Sequence, residues 1–162
     1  MPDEIQLDPF HIGRYAQGSP NEVVSKRANE EIEAGEALQL VSSDSESVEV
    51  FDGSGTFYGV AAYSTQADQD FRRADNNRDR ARYDSDDPVA VWRPGSLGYL
   101  IVEFEEPVTE GDNLAINDNT GIWLPASSGT TPKTEINGEV EEDSIQQNSV
   151  RVGAIRLRNT EV

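Results

Sequence analysis

After Ala37 the chain alternates apolar and polar positions in short runs, which Gly, Asp, Asn, Ser or Pro interrupt. Alternation with a period of two predicts strands that have one buried and one wet face. The pattern is clearest where Leu100, Val102 and Phe104 alternate with Glu103 and Glu105. The predicted strands are Ala37–Val41, Val48–Phe51, Phe57–Tyr63, Val89–Trp92, Gly98–Phe104, Asn113–Ile116, Gly121–Leu124 and Val150–Arg158.

These strands predict an all-β fold, a small β-barrel or sandwich of short antiparallel strands with an extended N-terminal arm and long loops. We divide the chain into an arm at 1–20 and a β-barrel-like domain at 21–162, with insertions at 64–87 and 125–148. The second insertion is rich in Ser, Thr, Gly and Glu, which predicts a long loop or a second extended arm.

Three local patterns refine this prediction. Ser19–Glu22 fits a capping box before a short helix, although extended structure up to Gly35 fits equally well. The run Ile116–Trp123 contains Asn, Asp and Gly and predicts a hairpin turn. In the last strand the apolar phase slips by one residue at Gly153, which indicates a β-bulge that leaves Arg156 and Arg158 facing outward together.

The first twenty residues contain Pro and Gly among large apolar residues that are unusual in a solvated tail. We expect an extended arm that either docks on a partner or folds back over its own core. The apolar residues that would make this contact are Ile5, Leu7, Phe10, Ile12 and Tyr15.

The chain of 162 residues has 31 acidic against 13 basic side chains and a formal net charge of -18. Nucleic acid and anionic membranes carry the same sign, so we expect neither as a partner. No apolar run has the length of a membrane span, and the N-terminus has no basic signal region. With two Lys and many carboxylates, the composition favours adaptation to high salt, against the alternatives of an acidic mesophilic or partly disordered protein.

The chain has no Cys and one His, His11, and lacks the motif of a nucleophile elbow, so we expect no enzyme and no cofactor. Close carboxylates are frequent in so acidic a chain, and we interpret them as solvated faces. The close carboxylates are Glu103, Glu105 and Glu106 and, separately, Asp84, Asp86 and Asp87.

A weak calcium-like spacing is present at Asp75, Asn77 and Asp79. The sixth loop position is Arg80 instead of Gly and the twelfth is Asp86 instead of Glu. We therefore predict no metal site and keep these three residues as a weak candidate.

Five of the eleven Arg residues lie close together, which is unexpected in an acidic chain. Arg forms planar, two-pronged bonds with carboxylates, so the cluster fits an interface with an acidic protein or a second copy. Pairing with neighbouring Asp side chains fits as well. The cluster is Arg72, Arg73, Arg78, Arg80 and Arg82, to which we add the pair Arg156 and Arg158.

Four short motifs resemble those of the small capsid decoration, or structural cement, proteins of tailed viruses. They are I-E-A-G-E-A-L at Ile32–Leu38, F-Y-G-V-A at Phe57–Ala61, W-R-P-G-S-L at Trp92–Leu97 and V-T-E-G-D-N-L at Val108–Leu114. In that family these motifs are turns and strands of the barrel. The resemblance covers Ile32–Trp123, and the insertion at 64–87 and the tail after Pro125 depart from the pattern.

The resemblance implies a homotrimer that is made in the host cytoplasm, binds the exterior of the virion capsid and clamps major capsid protein subunits without chemistry of its own. Together with the composition, it implies a virus of a halophilic, archaeal host. The alternatives are a turret, spike-base or tail protein that attaches to a host surface, an acidic β-barrel enzyme, and an acidic mimic of nucleic acid.

Overall fold

The computed structural model describes residues 12–17, 23–63, 82–95, 99–147 and 150–158. These residues form thirteen β-strands and no helix, which confirms the all-β prediction. No helix in these ranges has the length and hydropathy to cross a membrane. The strands are β1 Tyr15–Gln17, β2 Val23–Ala28, β3 Ile32–Glu33, β4 Ala37–Val41, β5 Asp44–Val50, β6 Phe57–Ala61, β7 Arg82–Tyr83, β8 Pro88–Trp92, β9 Tyr99–Phe104, β10 Asn113–Asn117, β11 Trp123–Pro125, β12 Lys133–Gln147 and β13 Val150–Leu157.

The first half of the fold is a closed five-stranded barrel in the order β2-β5-β4-β6-β8. Its pairs are antiparallel except β2–β5, which is parallel and joins only Arg27 to Ser47 and Ala28 to Val48. Leu38, Val48 and Val91 are fully buried inside this barrel. The short pair β3–β7 lies beside it and contributes the buried ring of Tyr83.

The second half is a sheet in the order β1-β9-β11-β10-β12-β13, in which β9 also pairs with β13. This extra pairing brings β9, β11, β10, β12 and β13 into a second ring. The predicted hairpin is present, with Ile116 opposite Trp123.

One apolar cluster joins the two rings. Leu100, Phe104 and Trp123 of the second ring share it with Phe57 and Val60 of the first. The Phe57 and Trp123 rings meet edge to face at 5.8 Å between centroids. Burial of this shared cluster fixes the two rings against one another.

The prediction of a loop or arm at 125–148 is wrong for most of that range. Lys133–Gln147 is the longest of the thirteen strands, and the connection before it spans only 126–132. The strand pairs with β10 and β13, and it bulges between Val140 and Glu142 and again between Glu142 and Ile145. The bulges and the charged composition hide the alternation that would have marked it as a strand.

The bulge predicted in β13 at Gly153 is wrong as to the strand, because β13 pairs with β9 without a break from Arg151 to Ile155. The register shift opposite Gly153 puts the extra residue in β12, between Glu142 and Ile145. Val150 and Val152 pack on one face of the strand, with Ile12 and Ile101, and Ile155 and Leu157 pack on the other face in the shared cluster. Both faces of β13 are covered. The apolar residues therefore lie on one face in the first half of the strand and on the other face in the second half, without a bulge in β13. Gly153 is required because a Cβ there would lie 2.6 Å from the Phe104 ring.

A short helix and extended structure were both predicted before Gly35. The residues that the structure describes there are extended and form β2 and β3. Of the insertion at 64–87, residues 64–81 lie outside the described residues.

Candidate functional site

The end of the predicted arm belongs to the fold. Ile12 is only 2% exposed and packs with Ile101, Val150 and Val152. Tyr15 lies in β1 opposite Leu100 of β9. This part of the arm therefore folds back on its own sheet, whereas Ile5, Leu7, Phe10 and His11 lie outside the described residues.

Gly13 fastens this segment to both rings. Its N–H donates to Ile101 O of the second ring at 2.8 Å. Its carbonyl oxygen accepts from Tyr63 N at 2.9 Å and from the Trp92 indole Nε1 at 2.7 Å, both in the first half of the fold. The φ angle is +88°, and a Cβ would lie 2.9 Å from Ala34 Cβ and from Tyr63 N, so only Gly fits.

Arg82 is the one member of the arginine cluster that the structure describes. It is partly buried in β7, opposite Glu33 of β3. Arg72, Arg73, Arg78 and Arg80 lie outside the described residues, so their proposed role as an interface stays a prediction.

The pair Arg156 and Arg158 lies on one face of β13 and pairs within the chain. Arg156 Nε is 3.1 Å from Glu141 Oε1, an ion-pair distance at an angle that makes no hydrogen bond. The Arg156 guanidinium carbon lies 5.0 Å from the centroid of the Tyr99 ring. Arg158 bonds to the Glu139 carboxylate and remains exposed.

Burial raises the pKa of Glu141, against the opposing effect of Arg156. Arg158 also lowers this pKa, while Glu139 and Glu110 raise it further. Both members of the arginine pair therefore meet carboxylates of β12 within the same chain.

The carboxylates Glu105 and Glu106 each hold a loop. Glu105 accepts from Asn117 Nδ2 at 2.6 Å and from Thr120 Oγ1 at 2.8 Å, within the β10–β11 hairpin. Glu106 accepts from Ser128 Oγ at 2.6 Å and from Thr130 Oγ1 at 2.9 Å. The bonds from Ser128 and Thr130 lower the pKa of Glu106.

Asp87 Oδ2 accepts from Asp84 N at 2.9 Å in the turn between β7 and β8. Glu103 is partly buried in β9. The weak metal candidate Asp75, Asn77 and Asp79 lies outside the described residues. Among the residues that are described, no group of three or more His, Cys, Asp or Glu is arranged to hold a metal ion.

Sequence reasoning missed a gap in the wall of the first barrel. β2 and β5 pair only at Arg27 and Ala28, and we call the unpaired stretch before Arg27 the β2–β5 gap. A shallow, open groove of about 470 Å³ lies over β2 there and extends to Asp86 and Pro88 on the β8 side. The Lys26 ammonium spans the gap and donates to Ser45 O at 2.9 Å. The lining residues are Ser25, Lys26, Arg27, Glu46, Asp86 and Pro88.

The sequence signal that could have found this surface is the position of Lys26 in the alternation of β2. Val23, Ser25 and Arg27 are exposed and alternate with Val24, Lys26 and Ala28. Lys26 is one of only two Lys residues and occupies a position that faces inward, where its side chain is 15% exposed. An inward Lys buries its apolar stem and carries its ammonium to a polar partner at the sheet edge, which here is the Ser45 carbonyl oxygen.

Comparison with solved structures gives a chain titled as the head fiber gp8.5 N base in bacteriophage phi29, with a TM-score of 0.43 and 16% sequence identity. The similarity covers 87% of this chain and 98% of that chain. No curated protein matches the chain.

A family model described as structural cement protein (E217 gp24/Pam3 gp6) matches residues 4–158. The match extends the resemblance at Ile32–Trp123 in both directions and includes β12 and β13. Because it spans nearly all of the chain, this protein belongs to the phage structural cement protein family and is a structural protein of the virion.

Proposed function

We propose that the protein binds the exterior of the capsid as a homotrimer and stabilises contacts between major capsid protein subunits, without catalysis. The observation that carries this proposal is the family match over residues 4–158. A cement protein acts by adding contact area between neighbouring subunits, and it needs a rigid body and surfaces that reach beyond it.

Two features of the fold support this role. The two rings share one apolar core, which makes a stiff body. Gly13 binds the last part of the N-terminal segment to both rings, so Ile12 and Gly13 hold a fixed position on the body. In a trimer, three such segments act in parallel, and weak single contacts then give strong overall binding.

The proposal is tested by imaging capsids with and without the protein and counting copies per capsid subunit. We expect density across the capsid faces, in groups of three, and capsids that resist heating better when the protein is bound. Density confined to the vertices or the tail would instead support a turret, spike-base or tail protein and would overturn the cement role.

A further inference from the structure

The two rings are built on the same plan. In the first ring the strand order is β2-β5-β4-β6-β8, and in the second it is β9-β11-β10-β12-β13. The last strand of each order also pairs with the first, as β8 with β2 and β13 with β9. In both rings the first pair of the order is parallel and the other pairs are antiparallel. The two orders therefore match β2 with β9, β5 with β11, β4 with β10, β6 with β12 and β8 with β13.

Two of the matching strand pairs also lie at the same distance in the chain. β2 is Val23–Ala28 and β9 is Tyr99–Phe104, while β4 is Ala37–Val41 and β10 is Asn113–Asn117. The members of each pair have equal length, and 99 minus 23 and 113 minus 37 both give an offset of 76 residues.

The sequence itself shows little of this match. At the offset of 76 residues, the segment 23–41 aligns with 99–117, and three of its 19 positions are identical. The identical pairs are Glu30 with Glu106, Gly35 with Gly111 and Leu38 with Leu114. A repeat of this kind is recognised from its structure, because so few identities leave no visible period in the sequence.

Gly35 and Gly111 occupy the same point of the same turn. Their φ angles are +92° and +94°, which favour glycine. Gly35 N donates to Ala61 O at 2.7 Å, and Gly111 N donates to Val140 O at 2.8 Å. The amides of Ala61 and Val140 donate back to the carbonyl oxygen of the residue after each glycine, at 3.0 Å and 2.8 Å.

The acidic residue after each glycine closes its turn in the same way. Glu36 N donates to Glu33 O at 3.2 Å, and the Glu36 carboxylate accepts from Glu33 N at 2.8 Å. In the second ring Asp112 N donates to Thr109 O at 3.0 Å, and the Asp112 carboxylate accepts from Thr109 N at 2.9 Å. The same main-chain bonds and the same side-chain bond therefore form at both turns.

A second pair of glycines follows at matching positions. Gly59 and Gly138 each lie two residues before the strand residue that bonds to the turn. A Cβ at Gly59 would lie 2.5 Å from Trp92 O, and a Cβ at Gly138 would lie 2.5 Å from Arg156 O. In both rings two neighbouring strands thus approach too closely for any residue but glycine.

The rings differ in one row of residues that runs across their matching strands. In the first ring the row is Ala37, Val60 and Trp92, and it packs in the shared apolar cluster. In the second ring the row is Asn113, Glu139 and Arg156. Asn113 is exposed, and Glu139 and Arg156 are partly exposed. A polar outer face at the end of a tandem series keeps the series from exposing an apolar surface.

We infer that the chain is a tandem pair of one five-stranded unit, with the first ring and the second ring as its two copies. The apolar row of the first unit joins the pair, and the polar row of the second unit ends it. The repeat is a property of the body of the protein and does not depend on capsid binding.

The matched glycines provide a first test, in the full-length protein. Gly59→Ala and Gly138→Ala each place a methyl group 2.5 Å from a carbonyl oxygen. We expect both to lower the melting temperature by at least about 5 °C, and by amounts that agree to within about 3 °C. The control Gly129→Ala adds a carbon with no atom within 4 Å and should leave the melting temperature unchanged. A loss in one variant without the same loss in the other would overturn the repeat.

The turns provide a second test, which does not depend on whether the glycine variants fold. The triple variant T109E/E110A/D112E writes the turn sequence of the first unit into the second. We expect its melting temperature to stay within about 3 °C of the wild type, because a longer carboxylate at position 112 can still accept from the N–H of position 109. The control G111D/D112G moves the glycine by one residue and should lower the melting temperature by at least about 5 °C. A triple variant that loses as much as this control would overturn the match between the turns.

Hydrogen exchange of the wild type provides a third test. The amides of Gly35 and Ala61 in the first unit and of Gly111 and Val140 in the second should all be protected, because all four are bonded across a turn. Protection of one pair together with free exchange of the other would mean that only one ring has this turn, and that the chain has no repeat.

Discussion

The indole Nε1 of Trp123 donates a hydrogen bond of 3.1 Å to the carbonyl oxygen of Gly35, 88 residues earlier in the chain. Trp123 is fully buried in the second ring, and Gly35 lies in the turn that enters β4 of the first. This bond joins the two rings beside their shared apolar cluster, to which Trp123 belongs.

We expect Trp123→Phe to lower the free energy of unfolding by at least about 2 kcal/mol, because it leaves a cavity and an unpaired carbonyl. Trp92→Phe should cost less, about 1 kcal/mol, because Gly13 O keeps its bond from Tyr63 N. Urea denaturation of both variants measures the difference. Equal losses would contradict the role assigned to the Trp123–Gly35 bond.

Gly13 is predicted to be more sensitive to substitution than another Gly of similar backbone conformation. Gly111 has a φ of +94°, and a methyl group added there would have no atom within 4 Å, whereas a methyl group at Gly13 meets Ala34 and Tyr63. Gly111→Ala should cost about 1–2 kcal/mol from backbone strain, and Gly13→Ala about 2 kcal/mol more from overpacking. Thermal unfolding measures the loss of stability in the two variants. Equal losses would contradict the tight fit at Gly13.

The bonds of Glu106 predict a loss of stability in acid. Its pKa in the folded protein is lower than its ordinary value of 4.5, so the ionised carboxylate stabilises the fold above about pH 4.5. This contribution disappears as the pH falls through the lowered pKa. Glu106→Gln should cost about 1 kcal/mol at pH 7, and the difference from wild type should shrink below pH 4.5. A difference that is constant with pH would contradict the prediction.

For Glu141 the change of stability with pH is expected to have the opposite sign to that for Glu106. Because its folded pKa is raised above 4.5, the folded state binds this proton more tightly than the unfolded state does. Stability from this group is present below pH 4.5 and is lost as the pH rises through the raised pKa. Glu141→Gln should abolish that loss, so wild type should weaken relative to E141Q as the pH rises above 4.5. Unfolding in urea at a series of pH values gives the comparison.

Two deletions of different length distinguish the role of the residues before Ile12 from that of Gly13. Deleting residues 2–10 leaves Ile12 and Gly13 in place, so we expect a folded protein of unchanged melting temperature that binds capsids weakly. Deleting residues 2–15 removes the bonds of Gly13 to both rings and should also destabilise the fold. If the shorter deletion binds capsids as the full chain does, the segment before Ile12 has no role in attachment.

Several elements were predictable because one face of each strand is buried and the other is wet. Ala37–Val41 has the bounds that its sequence predicts, and the hairpin at Ile116–Trp123 follows from its turn residues. Lys133–Gln147 was not predictable, because three register shifts disturb its alternation and few of its side chains are apolar. The phase slip at Gly153 puts no extra residue into β13, because this strand is covered on both faces, a property that depends on where Ile12 docks.

The candidate binding residues were harder to predict than the fold. An arginine in a strand looks the same in sequence whether it meets a partner or, as with Arg156, a glutamate of the adjacent strand. The β2–β5 gap depends on β5 turning away from β2, which involves residues about twenty positions apart. The alternation of residues within one strand does not show which distant strand it pairs with, or where that pairing stops.

The position of Gly13 has a mechanical consequence. Tension applied at Ile12 enters the fold at the junction of the rings, where Gly13 is bonded to Ile101, Tyr63 and Trp92. The load is divided between two halves of the body, so no single edge strand is peeled away from its neighbour. Force applied at Ile12 would thus load both rings together before it opened either one.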